Sequence, residues 1–187
     1  MFNKILIAAL AALLIITSFG ATIASAAPAA DSSTLDAQEA AALLFMREEE
    51  KLARDVYNVL YAAWGLPVFK NIAASEQRHM DAIKVLLDRY GLTAPALAPG
   101  KFSDSTLQAL YDKLVAQGKL SVTEALKVGV TIEQVDIKDL QTRLAQTDNL
   151  DIQRVFQNLL NGSYSHLNAF SRTTSTTGGG YGRGPRR

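Results

Sequence analysis

Two histidines and a handful of acids have the types and spacing to do chemistry in this chain. His79 closes Glu76-Gln77-Arg78-His79, and His166 closes Ser163-Tyr164-Ser165-His166. Glu-x-x-His places a carboxylate and an imidazole one turn apart on the same helix face. Both histidines fall on apolar stripes with steps of three and four, so both should point into a core. Ionisable groups are costly there unless something compensates them. A bound metal ion is one solution; a surface ion pair, or a core histidine satisfied by hydrogen bonds, is the plainer alternative.

The stripes make the metal the stronger alternative. In a first helical pattern the inward run reads Leu43, Met46, Glu50, Ala53, Tyr57, Leu60. In the second it reads Ile72, Glu76, His79, Ile83, Leu86; in the third, Leu126, Gly129, Glu133, Asp136, Leu140; in the fourth, Phe156, Leu159, Ser163, His166, Phe170. Each is a core stripe interrupted near its middle by an acid or a histidine. Four carboxylates and two imidazoles meeting in a dry interior would repel or protonate one another unless cations neutralised them. Glu50, Glu76, His79, Glu133, Asp136 and His166 are therefore the candidate metal ligands. Oxygen-rich ligation with two imidazoles and no sulfur suits iron or manganese better than zinc.

Some assignments stay open. Glu48, Glu49 and Glu50 are consecutive, and Glu49 begins an alternative stripe with Leu52 and Val56. Tyr57 lies two turns after Glu50 and favours it. Glu48 and Arg47 read as solvated. Asp136 reads equally as a ligand or as a partner of Arg143 or a lysine. Tyr57 reads as core, or as a hydrogen-bond donor to a ligand carboxylate. Trp64 and Phe69 read as packing around a turn, and Arg54 and Arg78 as partners of surface acids.

The elements that must carry these residues are helices: 36–64, ended by Gly65-Leu66-Pro67; 68–90, stopped at Gly91; a short one over 105–117; one opening at Ser121-Val122-Thr123-Glu124, a capping box, and running to 146; and 150–172. No strand pattern is present. The links between the first pair and the last pair of long helices are a few residues each, which implies two antiparallel hairpins. The link between the pairs is about 30 residues and contains the short helix. The expected fold is all-α, a four-helix bundle with one long crossover, the ferritin-like arrangement.

The rest of the chain sets the context. Residues 1–26 read as a signal peptide: Lys4, an unbroken apolar run from Ile5 to Ile16, and Ala24-Ser25-Ala26 as a small-x-small cleavage site. Residues 27–35 read as a flexible mature N-terminus, 36–172 as the bundle, and 173–187, rich in Gly and Arg, as a disordered basic tail. The expected location is exported: secreted, periplasmic or cell-envelope. Cysteine is absent, which excludes disulfides, thiolate metal sites and thiol catalysis. Without Lys4 the 19 basic residues become 18 against 18 acids, so nothing points to nucleic acid as a partner of the folded part. No stretch after the signal segment is apolar enough to span a membrane.

Three strings carry a resemblance. Glu50-Lys-Leu-Ala53-Arg-Asp-Val-Tyr57, Ile72-Ala73-Ala74-Ser75-Glu76-Gln77-Arg78-His79 and Glu133-Gln134-Val135-Asp136 resemble ligand-bearing helices of the ferritin-like superfamily, in the style of rubrerythrin. REEEKLARDVY, NIAASEQRHMDAI and Gly-Ser-x-x-His look like a branch of uncharacterised, often secreted, ferritin-like domains. The resemblance covers about 36–172. It implies a carboxylate/histidine non-haem iron or manganese centre in which Glu76 bridges, Glu50 and His79 complete one position, and Glu133 and His166, with Asp136, complete the other. Oxygen or peroxide would be the co-reactant of a redox-active centre. The departure is Ser163, where the superfamily carries a glutamate. That gap supports the alternative, a non-catalytic structural or binding bundle with a degenerate site.

Overall fold

The computed structural model describes residues 34–178, and every element in it is helical. The expected signal segment, nearly all of 27–35 and the end of the Gly-rich tail lie outside the described residues.

Five helices follow in order: α1 (Ala37–Trp64), α2 (Pro67–Arg89), α3 (Ser105–Gly118), α4 (Val122–Leu144) and α5 (Leu150–Gly178). Their ends have local causes. Asp36 and Glu39 form a reciprocal capping box at the start of α1, so two otherwise orphaned backbone donors are satisfied. Gly65 stops α1 in the left-handed conformation (φ 65°), which glycine adopts without a Cβ penalty. Pro67 then opens α2 at a position where its missing N–H costs nothing. Asp104 caps α3 by accepting from the amides of Thr106 and Leu107. At α4 only half of the expected capping box forms. Ser121 accepts from the Glu124 amide, but the Glu124 side chain pairs with Lys127 and Gln117 instead.

α5 runs past the expected boundary at Arg172 to Gly178. The hydroxyls of Thr173, Thr174, Ser175 and Thr176 bond carbonyls one turn back, which satisfies them without breaking the helix. The expected disordered tail is thus helical over its first six residues.

α1 packs mainly on α2, and α4 on α5; α2 also meets α5, α1 meets α4, and α3 lies against α1 and α4. The core forms two clusters. One holds Leu52, Val56, Phe69, Ile72, Leu126, Ile132 and Phe170; the other holds Leu43, Met46, Ile83, Leu86, Leu140 and Phe156. Along α1 and α5 the chain passes from the second cluster to the first, whereas along α2 and α4 it passes from the first to the second. Each hairpin is therefore antiparallel, and α2 and α4 run the same way. The chain between them therefore has to double back, and α3 lies in it.

The loop before α3 is fastened to α1 by buried charges. Glu48, expected to be solvated, is 6% exposed and accepts from the Ser103 amide (2.8 Å), the Ser103 hydroxyl (2.6 Å) and the Asp104 amide (3.3 Å). Lys51 Nζ donates to Asp55 (2.7 Å) and to the carbonyls of Ala98 and Lys101 (both 3.0 Å). Asp55 also accepts from the Gly100 amide (2.9 Å). Arg47 is likewise engaged, donating to the Met80 carbonyl. The covering loop makes α1 charged on a face that is not solvated.

Candidate metal centre

On all four long helices the polar residues fall between the two apolar clusters. Glu50 lies between Met46 and Leu52, Glu76 and His79 between Ala73 and Ile83, Glu133 and Asp136 between Ile132 and Ile137, and Ser163 and His166 between Leu160 and Phe170. The clusters set their common height and keep water away. Glu50, Glu76 and Glu133 are each 2% exposed, and His166 is 8% exposed.

Two triads result. Glu50, Glu76 and His79 bring one ligand atom each within 4.8 Å of one another, and so do Glu76, Glu133 and His166. Glu76 belongs to both. Its Oε2 lies 2.8 Å from His79 Nδ1, and its Oε1 lies 2.8 Å from His166 Nδ1. His79 Nδ1 is also 3.1 Å from Glu50 Oε2, and His166 Nδ1 is 3.5 Å from Glu133 Oε2. The two imidazoles stack, with centroids 5.5 Å apart and planes 23° from parallel.

Several of these short contacts lack hydrogen-bond geometry. Glu50 Oε1, Glu76 Oε1 and His166 Nδ1 are buried without a hydrogen-bond partner. Buried polar atoms are ordinarily paired. In each triad one imidazole nitrogen and two carboxylate oxygens converge, and Glu76 Oε1 and His166 Nδ1 do so without a hydrogen-bond partner; such a set could hold a divalent cation in each triad, with Glu76 able to offer an oxygen to both.

The electrostatics of the triads show the same frustration. Burial opposes the charge of Glu76, but the imidazoles of His166 and His79 outweigh it and hold the carboxyl down at about 2. Burial pushes Glu133 up to about 7, against the pull of His166. Burial favours neutral His166, yet Glu133 and Glu76 overcome it and raise the imidazole to about 10. Burial, then the charges of Asp136 and Glu76, push Glu50 up. Without a cation, protons must do the neutralising.

Neighbouring groups position the triads. Tyr57 Oη donates to Glu133 Oε1 at 2.6 Å, while its ring packs 5.2 Å from Phe170 and 6.2 Å from Phe69. Ser163 Oγ donates to Asp136 Oδ2. Asp136 joins neither triad, and it pairs with neither Arg143 nor a lysine among the described residues. Glu49, the alternative on α1, also stands outside both triads. Phe69 is fully buried, and Trp64 Nε1 donates to the Gly118 carbonyl at 2.8 Å. Arg54 pairs with Asp55 at 2.7 Å. Arg78 is exposed and has no ion pair among the described residues.

Gly162 is a positioning residue that the stripe pattern does not pick out. Its missing side chain lets the α5 backbone run directly against the His79 ring. A glycine inside a helix costs about 1 kcal/mol relative to alanine, and that cost was the available signal.

Residues 39–184 match the family model of an uncharacterized protein domain, DUF2202. The chain belongs to this family. The uncharacterized protein MJ0754 of Methanocaldococcus jannaschii is 50% identical over 146 residues, 77% of this chain and 79% of that protein. The crystal structure of that hypothetical protein is similar to this one with a TM-score of 0.76 at 49% identity, covering 77% of this chain and 83% of that one. The DUF305 fragment from Deinococcus radiodurans shares the helical fold alone, with a TM-score of 0.57 at 14% identity over 76% of this chain and 99% of that one. Among the described residues no helix is long and apolar enough to cross a membrane.

Proposed function

We propose that this DUF2202 protein is an exported, ferritin-like metal-binding protein: a four-helix bundle with its long crossover through α3, holding a carboxylate/histidine centre for iron or manganese. The observation that carries this reading is Glu76, one buried carboxylate with an oxygen 2.8 Å from each of two imidazoles contributed by different hairpins. The parallel course of α2 and α4 supports the ferritin-like topology. The signal-like 1–26 segment supports export.

In this reading Glu76 bridges, Glu50 and His79 complete one position, and Glu133 and His166 complete the other. Asp136, with its hydroxyl partner Ser163, stands beside them rather than supplying the missing bridge. Iron or manganese held there would supply electrons for a reaction with oxygen or peroxide. The protein's own part is to hold Glu133 through Tyr57, to seat His79 against Gly162, and to exclude water with the two apolar clusters.

Metal analysis of protein recovered from the exported compartment tests the reading, with Glu76→Ala as its control. Wild type should carry iron or manganese and Glu76→Ala should lose it. Stoichiometric metal retained by Glu76→Ala rules out the bridging role. A second reading, a structural bundle with an inward polar network, draws on the Ser163–Asp136 bond. Adding iron, manganese or zinc to chelated protein separates the two, because a bound ion raises the melting temperature and a self-satisfied network leaves it unchanged.

A further inference from the structure

Two more buried acids remain unexplained by the triads. Glu49 and Asp136 are 5% and 6% exposed, and Glu49 Oε2 and Asp136 Oδ1 have no hydrogen-bond partner. Ser163 occupies the other oxygen of Asp136, so one oxygen of that carboxylate remains unanswered. No lysine or arginine among the described residues forms an ion pair with either acid. Arg143 forms no ion pair with Glu49: its guanidinium lies 4.4 Å over the Phe45 ring, and its own Nε is unpartnered.

Both acids line one narrow, mostly enclosed cavity between α1, α3 and α4, with room for about one water-sized body. Its other walls include Leu52, Leu110, Leu114 and Ile132. Two unpaired carboxylate oxygens facing an apolar cavity repel each other and lack solvent to screen them.

We propose that Glu49 and Asp136 form a separate divalent-cation site in the cavity between α1, α3 and α4. Its donors are oxygen only, so it takes hard ions such as manganese, magnesium or calcium. It has no imidazole, unlike the triads, and holds ions less selectively. The low-dielectric walls strengthen the attraction of two carboxylates for one ion.

Crystals of the full chain soaked in manganese test this by anomalous scattering at the manganese edge. The expected result is a peak between Glu49 and Asp136, apart from any peak at the triads. Glu49→Gln, which keeps the side-chain shape, should lose that peak and keep the triad peaks. Triad peaks alone in the wild type, or a third peak that survives Glu49→Gln, overturn the inference. A peak at Glu49 with none at the triads leaves this site standing and removes the Glu76-centred reading instead. No peak anywhere overturns both.

Discussion

A methyl group on Gly162 would stand 2.7 Å from the Nε2 of His79. Real side chains do not tolerate that separation, so the ring or the helix would have to move. The ring is the end that can swing, and swinging it withdraws Nδ1 from Glu50 and Glu76. Gly162→Ala should therefore lose the metal of the His79 triad and keep that of the His166 triad, halving the metal-to-protein ratio. The same change in a His79→Ala background should stabilise the chelated protein by about 1 kcal/mol, since alanine is the better helix former. A loss of stability in both backgrounds would show that Gly162 serves packing unrelated to His79.

Protonation gives a second prediction. His166 is raised from 6.5 to about 10, so its contribution to the metal-free fold is complete below about 6.5 and lost as pH rises through about 10. Glu133 is raised from 4.5 to about 7, so its contribution is complete below about 4.5 and lost as pH rises through about 7. Glu76 is lowered to about 2, and its contribution is lost only as pH falls through that value. These groups should make chelated protein less stable from pH 5 to pH 9. Cations replace those protons, so binding strengthens with pH. The melting-temperature gap between loaded and chelated protein should widen from pH 5 to 7 to 9. A gap that narrows would contradict the assignment of His166 and Glu133 as ligands.

Tyr57→Phe removes one hydroxyl and leaves the ring contacts with Phe69 and Phe170 in place. Glu133 Oε1 then loses its donor at 2.6 Å. An unsatisfied buried acceptor costs about 1–3 kcal/mol, which chemical denaturation of the chelated protein should register. Metal affinity should fall at the His166 triad in particular. An unchanged denaturation midpoint would mean that Glu133 finds another donor.

Glu48→Ala tests the loop fastening. It removes an acceptor shared by the Ser103 amide, the Ser103 hydroxyl and the Asp104 amide. The loop before α3 should open locally more often, and amide exchange at Ser103 and Asp104 should accelerate at least tenfold, the equivalent of about 1.4 kcal/mol. The triads should keep their metal. Exchange rising equally through α1 and α4 would point to global rather than local destabilisation.

Helix positions, the two hairpins and the inward stripe of each long helix were legible because period-3.6 patterning and turn residues are local signals. What escaped depends on partners distant in sequence. Glu48 looked solvated because the loop that buries it arrives 55 residues later. The bond from Ser163 to Asp136 could not be read locally either, because the two residues lie 27 positions apart. The helical 173–178 segment was missed because its threonines satisfy their own hydroxyls, which composition does not reveal.

Between Glu48 and Tyr57, every residue of α1 except Arg54 is buried. A helix at a protein surface usually keeps a face where substitutions are nearly silent. This stretch has none, because α2, α4, the loop and α3 close around it. Sequence drift should therefore be slower across 48–57 than at the outward positions of α2 and α5, and a random substitution library should show a block of intolerance there, interrupted only at position 54. Designers wishing to alter the centre have freer hands on α5 than on α1.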